Sequence, residues 1–247
     1  MTLVVVSSGV TSSGLTISSG VGLVVLSGGT VASSTVLSGG SVSLFSGGFG
    51  AALTESKGGV IEGDGELEFS SSLGGGYYSS NFAAGTVSDV TLDIYASLEI
   101  SSGGAASAVT VGDNDGNAQL LIDRGATATG TVVLDGILSI AGSATDTVVD
   151  CLADQVQIFP STATIDSGGV ASGLTIGSGG NVYVVSRGFA GGVAVQNEGY
   201  LTVAFAGVTT GVTVENGGEF DVAGTAYGDR HRPRQRRHAG IALENRT

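Results

Sequence analysis

Tryptophan is absent from this sequence, and cysteine and methionine each occur only once in 247 residues. The single cysteine, Cys151, cannot form a disulfide within the chain, and we expect it to be a small buried hydrophobe. Proline occurs twice, and charged residues make up only 13% of the chain. The low charge and the missing tryptophan argue against a mixed α/β enzyme.

Long apolar runs are also missing. No run approaches the roughly 18 residues that a membrane-spanning helix needs, so we predict no membrane span in this chain. Residues 1–6 have neither the basic region nor the small-residue cleavage site of a signal peptide. A repeat begins directly after them, which favours a fragment of a longer protein.

Basic residues are scarce over most of the sequence. Residues 1–228 contain three of the nine cations, Lys57, Arg124 and Arg187, and 20 of the 22 acidic residues, so this segment has a net charge of −17. Such a surface repels phosphate, and we predict no nucleic-acid partner. Residues 229–247 hold the other six cations and both histidines. We predict that they form a basic tail that is disordered or read out of frame.

Glycine is abundant, with 44 residues, and it recurs at regular intervals in turns such as Ser-Gly-Gly. Hydrophobic residues make up 41% of the chain, far more than a disordered glycine-rich linker contains. The last glycines of the turns follow one another in steps of 11 and 8 or 9 residues, which gives a period of 19 or 20. These glycines are Gly9, Gly20, Gly29, Gly40, Gly48 and Gly59 in the first part of the chain, and Gly169, Gly180, Gly188, Gly199, Gly207 and Gly218 in the last.

Short apolar-polar-apolar segments lie between the turns, for example Leu174-Thr175-Ile176 and Val182-Tyr183-Val184. This alternation is typical of a strand with one buried face. Such short strands bury their apolar side chains only when successive repeats stack. We therefore predict an all-β, right-handed parallel β-helix (solenoid) of about 19–20-residue rungs over residues 1–228. We expect irregular insertions near residues 70–85 and 141–164.

Residues 168–184 read Gly-Gly-x-Ala-Ser-Gly-Leu-Thr-Ile-x-Ser-Gly-Gly-x-Val-x-Val. This motif resembles the strand-loop-strand repeats of AIDA-type autotransporter adhesin passengers. The resemblance covers residues 7–60 and 165–222 clearly, and residues 86–140 loosely. It implies a β-helical module that is secreted or displayed on a bacterial surface and mediates adhesion or autoaggregation. Neither an export signal nor a translocator is recognisable in the sequence.

The resemblance also implies partners and a modification. The expected partners are receptors or glycans on host or bacterial surfaces, and further copies of the chain. Members of the family carry O-linked sugars that a dedicated heptosyltransferase attaches to serine or threonine. The predicted acceptors are serines at the corners of the repeat, namely Ser18, Ser38, Ser46 and Ser178.

No motif for catalysis or cofactor binding is recognisable, and we predict that the chain is not an enzyme and has no cofactor. Both histidines lie in the tail, away from any nucleophile in the repeats. Zinc sites need clusters of cysteine and histidine that are absent. Asp113 and Asp115 form a weak candidate for calcium, and the competing interpretation is a polar turn.

A carbohydrate-active β-helix enzyme, either a lyase or a hydrolase, is the alternative function. Glu62, Asp64, Glu66 and Glu68 alternate as if on one strand face, where a glycosidase pair could lie, although a solvated face explains them equally. A lyase needs a basic residue beside a charged cleft, and the three cations are scattered along the sequence. A groove with carboxylates and a cation would favour the enzyme, and a uniform polar rod would favour the adhesin.

An aromatic group is the remaining candidate for binding. Tyr77, Tyr78 and Phe82 are close in sequence, inside the first predicted insertion. They could form a contact patch on a projecting loop, or they could pack against the rod.

Overall fold

The computed structural model describes residues 2–56, 58–68, 71–73, 81–83, 85–92, 96–112, 117–151 and 160–231, without the side chains of residues 68, 71–73, 81–83 and 231. These residues form three parallel sheets of twelve strands each, and one strand from each sheet makes a rung. The predicted all-β parallel solenoid is therefore confirmed. Its right-handed sense stays a prediction, in keeping with the usual hand of parallel crossovers.

The strands of the three sheets alternate along the chain. The first sheet consists of Thr2–Val6, Val21–Val25, Ser41–Leu44, Val60–Gly63, Asn81–Ala83, Ser97–Ile100, Gln119–Ile122, Ile137–Ile140, Thr162–Ile165, Asn181–Val184, Tyr200–Val203 and Glu219–Val222. The second consists of Thr11–Ser13, Thr30–Ala32, Phe49–Ala51, Glu66–Glu68, Thr86–Ser88, Ala105–Ser107, Thr127–Thr129, Ser143–Thr145, Val170–Ser172, Phe189–Gly191, Val208–Thr210 and Thr225–Tyr227. The third consists of Thr16–Ile17, Thr35–Val36, Thr54–Glu55, Ser71–Leu73, Val90–Leu92, Thr110–Val111, Val132–Leu134, Val148–Asp150, Thr175–Ile176, Ala194–Val195, Thr213–Val214 and Arg230–His231.

The core is a set of columns of apolar side chains that run along the rod. In the first sheet, Leu120, Leu138, Ala163, Val182 and Leu201 pair in register on successive rungs. Each of these side chains is at most 1% exposed. Because side chains alternate across a strand, the intervening polar residues face solvent. Each rung thus buries its apolar face against the rungs before and after it.

Two four-residue turns and one sharper corner close most rungs. In the turn Phe45-Ser46-Gly47-Gly48, the N–H of Gly48 donates to the carbonyl of Phe45 over 2.6 Å, and the third residue, Gly47, has a φ of 74°. A positive φ at the third position is typical of a type II turn, which favours glycine there. The sharper corner joins the second sheet to the third through one residue of positive φ, such as Ser33 at 46°.

The predicted insertions contain strands that remain in register. Ile137 pairs with Thr162, so these two neighbouring strands are 25 residues apart in the sequence. In a regular rung the distance is 19 residues, as between the paired residues Ala163 and Val182. Because Val148–Asp150 keeps its place in the third sheet, the extra residues fall between 151 and 161. In the other region, Ser71–Leu73 and Asn81–Ala83 keep their places in two sheets, and residues 74–80 lie outside the described residues.

The structured rod continues a few residues past position 228. Arg230–His231 pairs with Thr213–Val214 as the twelfth strand of the third sheet. Asp229 supports this strand, because its Oδ1 accepts a hydrogen bond of 3.0 Å from the N–H of Val212. Residues 232–247 lie outside the described residues. The division of the chain into residues 1–228 and 229–247 stays a prediction.

The described residues contain no helix, and therefore none that is long and apolar enough to cross a membrane.

Candidate functional site

Serines at the second position of the turns form lines along the corners of the rod. A Cβ atom built on Gly28 would lie 2.7 Å from Oγ of Ser8, one rung away, and one built on Gly47 would lie 2.7 Å from Oγ of Ser27. Each of these serines therefore covers the glycine of the next turn in its line. The hydroxyls of one line follow each other at the rung spacing of about 4.8 Å.

All four predicted acceptor serines are exposed at these corners. Ser38, Ser46 and Ser178 occupy the second position of a turn, and Ser18 occupies the first. Oγ of Ser178 donates a hydrogen bond of 2.9 Å to Oε2 of Glu198 on the next rung. Five further exposed serines at the second turn position were not predicted from the sequence. Each directly precedes the turn residue with a positive φ, which is most often glycine, so a Ser-Gly pair was the available signal. These serines are Ser8, Ser19, Ser27, Ser102 and Ser186.

The four acidic residues from Glu62 to Glu68 are divided between two sheets and the connection that joins them. Glu62 belongs to the first sheet and Glu66 to the second, and the connection Asp64-Gly65 separates them. The expectation of a single strand face was wrong, because the chain turns a corner at Asp64. Glu62 accepts a hydrogen bond of 3.3 Å from Oγ of Ser43.

The corner at Asp64 carries a small groove of about 270 Å³, which we call the acidic notch. The notch exists because Asp64-Gly65 joins two strands with two residues, where most rungs have a connection of four residues at this corner. Its lining includes Glu62, Asp64 and Phe45, and the Phe45 side chain is 53% exposed. In the part of the chain that the structure describes, no cation belongs to this lining.

A second, larger groove of about 570 Å³ lies on the same corner of the rod, farther along, and we call it the basic notch. It contains Arg124 and Arg187, which are separated by 63 positions in the sequence. The two cations that look scattered in the sequence therefore share one groove. Ala141-Gly142 forms its floor, and Nη2 of Arg124 donates a hydrogen bond of 2.9 Å to the carbonyl of Ser167.

Glu99 in the first sheet and Asp123, the first residue of the turn that precedes Thr127, form a pair of carboxyl groups. Burial raises the pKa of Glu99 above its usual value, and a hydrogen bond and charge repulsion from Asp123 raise it further. A shared proton relieves the repulsion between two such neighbours. Neither carboxyl lines the basic notch.

Several predicted features lie outside the described residues or differ from expectation. Asp113, Asp115, Tyr77 and Tyr78 are not among the described residues, and for Phe82 only the backbone is described. Where side chains are described, no group of three His, Cys, Asp or Glu residues could hold a metal ion. The calcium site and the aromatic patch stay predictions.

Cys151 is half-buried, not buried as expected. It directly follows the strand Val148–Asp150. Its Sγ lies 3.7 Å from Oγ of Ser161.

Comparisons with known proteins give one informative result. No protein-family model matches the sequence, and no curated protein matches it. Among solved structures, the chain is similar to the crystal structure of a fragment of the autotransporter adhesin TibA, and that fragment was hyper-glycosylated by TibC. The TM-score is 0.62 at 27% sequence identity, over 93% of this chain and 89% of the other.

The structure fits an AIDA-type autotransporter passenger. The resemblance predicted from the repeat is thereby confirmed. The similarity extends over nearly the whole chain.

Proposed function

We propose that this chain is the adhesive module of an autotransporter-like protein, displayed on the cell surface or secreted, and that it acts through its length and repetition. The observation that carries the proposal is the structural similarity to an adhesin fragment over 93% of the chain. A rod with a repeated polar surface presents many equivalent contacts, and repeated weak contacts give strong attachment.

The grooves favour this module over a polysaccharide lyase. Cleavage of a polysaccharide needs carboxylates, or a carboxylate and a cation, in one cleft. The acidic notch has carboxylates without a cation, and the basic notch has cations without a carboxylate. Neither of the two grooves combines a carboxylate with the cation that a polysaccharide lyase requires.

Attachment of beads tests the adhesive role. Beads coated with the purified chain are expected to cluster, and to bind cultured epithelial cells several-fold more than albumin-coated beads do. Clustering reports self-association, and cell binding reports a receptor or glycan on the host surface. Clustering and cell binding no greater than with albumin would contradict the proposal.

O-linked sugars on the turn serines are the second part of the proposal. The fragment to which this chain is similar was hyper-glycosylated by TibC, and the present chain exposes serines at repeated corners of its rod. A hydroxyl at an exposed turn is accessible to a transferase, whereas a hydroxyl in the core is not. Ser34, at 1% exposure and bonded through Oγ to the carbonyl of Ala32, provides the internal contrast.

Intact-mass measurement after coexpression with a heptosyltransferase such as TibC tests this part. We expect a series of added sugar masses, with sugar found on Ser38 and Ser46 by peptide mapping and none on Ser34. Ser46→Ala should remove the sugar from its own peptide only. Ser178 should be less occupied, because Glu198 holds its hydroxyl, and Glu198→Ala should raise its occupancy. An unchanged mass, or sugar on Ser34, would count against the proposal.

A further inference from the structure

The basic notch has the geometry of a small binding site for an anion. We propose that it binds the carboxylate of an acidic sugar, with Arg124 and Arg187 as the charged contacts. The inference goes beyond the adhesive role and does not depend on it, because the site can be tested with the purified chain and soluble sugars.

The notch arises from a short connection in the stack of turns. The strand Gln119–Ile122 is followed by the four-residue turn Asp123–Ala126, and Thr162–Ile165 by the turn Asp166–Gly169. Between them, Ile137–Ile140 is followed only by Ala141-Gly142. The middle rung therefore lacks the projecting part of the turn, and its neighbours become the two walls of a gap.

The same gap interrupts a ladder of backbone hydrogen bonds. Along this corner, the N–H at the third turn position donates to the carbonyl at the same position one rung later, as from Gly103 to Gly125 over 3.0 Å and from Gly168 to Arg187 over 3.1 Å. Gly125 has no such acceptor, because the next rung has no turn. Its N–H therefore faces the notch as an unused donor, and such a donor favours an anion.

Two guanidinium groups add charge to this donor. Arg124 reaches over the gap to the carbonyl of Ser167, which occupies one of the five N–H donors of its guanidinium. The side chain of Arg187 makes no hydrogen bond or ion pair in the described part of the chain. Their backbones are three rungs apart, about 14 Å, so a ligand between them is comparable to a disaccharide in length.

The surrounding charges make this concentration of cations unusual. The chain has a net charge of −13, yet among the described residues no acidic side chain lines the notch. The nearest acidic turn residues are engaged on the first sheet, since Asp166 accepts a hydrogen bond from Ser139 and Asp123 pairs with Glu99. At physiological salt, charges beyond about 8 Å are largely screened, so an anion in the notch is governed by its local donors.

The rest of the lining suits a sugar better than a compact ion. Thr127 and Ser143, which both carry a hydroxyl, line the groove together with Gly142 and Gly168, which have no side chain to block a ring. Sugar hydroxyls both donate and accept hydrogen bonds, and serine and threonine match both functions. A carboxylate matches the planar fork of a guanidinium.

Ligand-observed NMR titration of the full chain with trigalacturonate tests the proposal, with 3′-sialyllactose as a second carboxylated sugar and the methyl ester of trigalacturonate as the neutral control. We expect at least one of the acids to bind and the ester to bind at least ten-fold more weakly. The variant Arg124→Gln with Arg187→Gln should weaken binding by at least ten-fold. Glu62→Gln, in the acidic notch, should leave the Kd unchanged.

Three results of this titration would overturn the proposal. The first is that neither acid binds, and the second is that the ester binds as tightly as the acids. The third is that the double arginine variant binds as tightly as the unmodified chain, which would assign the anion to the arginines of the tail. Inorganic phosphate that binds as tightly as the sugars would also overturn it, because the sugar ring would then contribute nothing.

A second variant tests the geometry with both arginines retained. Insertion of Ser-Gly between Ala141 and Gly142 restores a four-residue turn and fills the gap. Binding should be lost while the β-sheet circular dichroism spectrum and the thermal transition are kept. Undiminished binding by this folded variant would refute the notch as the site. If the insertion prevents folding, the double arginine variant still decides the proposal.

Discussion

Replacing Val182 with aspartate is expected to lower the free energy of unfolding by about 4 kcal/mol or more, because a buried charge without a partner is costly. Val182 is 1% exposed and lies between Ala163 and Leu201 in the core column of the first sheet. Neither neighbour offers a hydrogen bond to a carboxylate. Chemical denaturation followed by circular dichroism would measure the loss.

Tyr183→Asp provides the matched control on the same strand. Tyr183 points to the opposite face, is 44% exposed and pairs in register with Thr164 and Thr202, which carry no charge. The same new carboxylate should therefore cost less than about 1 kcal/mol there, as surface substitutions usually do. Equal losses for the two variants would mean that this face of the first sheet is not the core.

Replacing Gly188 with alanine is expected to cost about 3 kcal/mol, because the new Cβ atom would overlap backbone that cannot move aside. That atom would lie 2.6 Å from the carbonyl oxygen of Ile165 and 3.2 Å from those of Asp166 and Val185. All three oxygens accept hydrogen bonds within the rungs. A shift that relieves the overlap would therefore break part of the ladder.

Gly192→Ala, on the same rung, separates this steric effect from backbone strain. Gly192 has a φ of 61°, and the nearest atom to a new Cβ would be the N of Gly173 at 3.8 Å. Strain alone costs about 1 kcal/mol. In thermal unfolding, the Tm of Gly188→Ala should be clearly lower than the Tm of Gly192→Ala. The reverse order would contradict the steric explanation.

The sequence was sufficient to predict the stacked rungs but not the reason for each glycine. The last glycine of most turns, such as Gly29 or Gly188, does not have a positive φ. It is required because a carbonyl of the preceding rung lies where a side chain would start. Gly9 and Gly20 belong to the third turn position instead, where φ is 76° and 78°. The irregular step of 9 residues runs from Gly20, at the third turn position, to Gly29, at the fourth position of the next turn.

The third sheet of the rod was not separable from the second in the sequence. The long arm of the repeat contains two strands and a corner, and many strands of the second sheet have small residues at the buried position, such as Ala128, Ala144 and Ala171. Small residues give little apolar alternation. The corner residue is equally variable, for example Ser33 or Ala52. Glycine holds this corner in several rungs, such as Gly173, Gly192 and Gly211, but no residue type holds it in every rung, so the corner was not recognised.

The basic notch could not be predicted for a different reason. Its formation depends on which rung has the short connection, and its charge depends on which rungs flank that connection. Arg124 and Arg187 become neighbours only after the register of the intervening rungs is known, including the rung that spans 25 residues. The single useful signal in the sequence was Ile-Ala-Gly-Ser at residues 140–143, where the turn serine is missing.

The strict pairing of each rung with its two neighbours determines how the rod responds to mechanical force. Tension applied at the two ends of the chain peels the outermost rung first, since no strand connects distant rungs. Each 19-residue rung that detaches releases about 65 Å of extended chain. The 25-residue rung releases about 85 Å. A rod of this design lengthens in steps under load and absorbs work at each one, which suits a tether that must hold in flowing liquid.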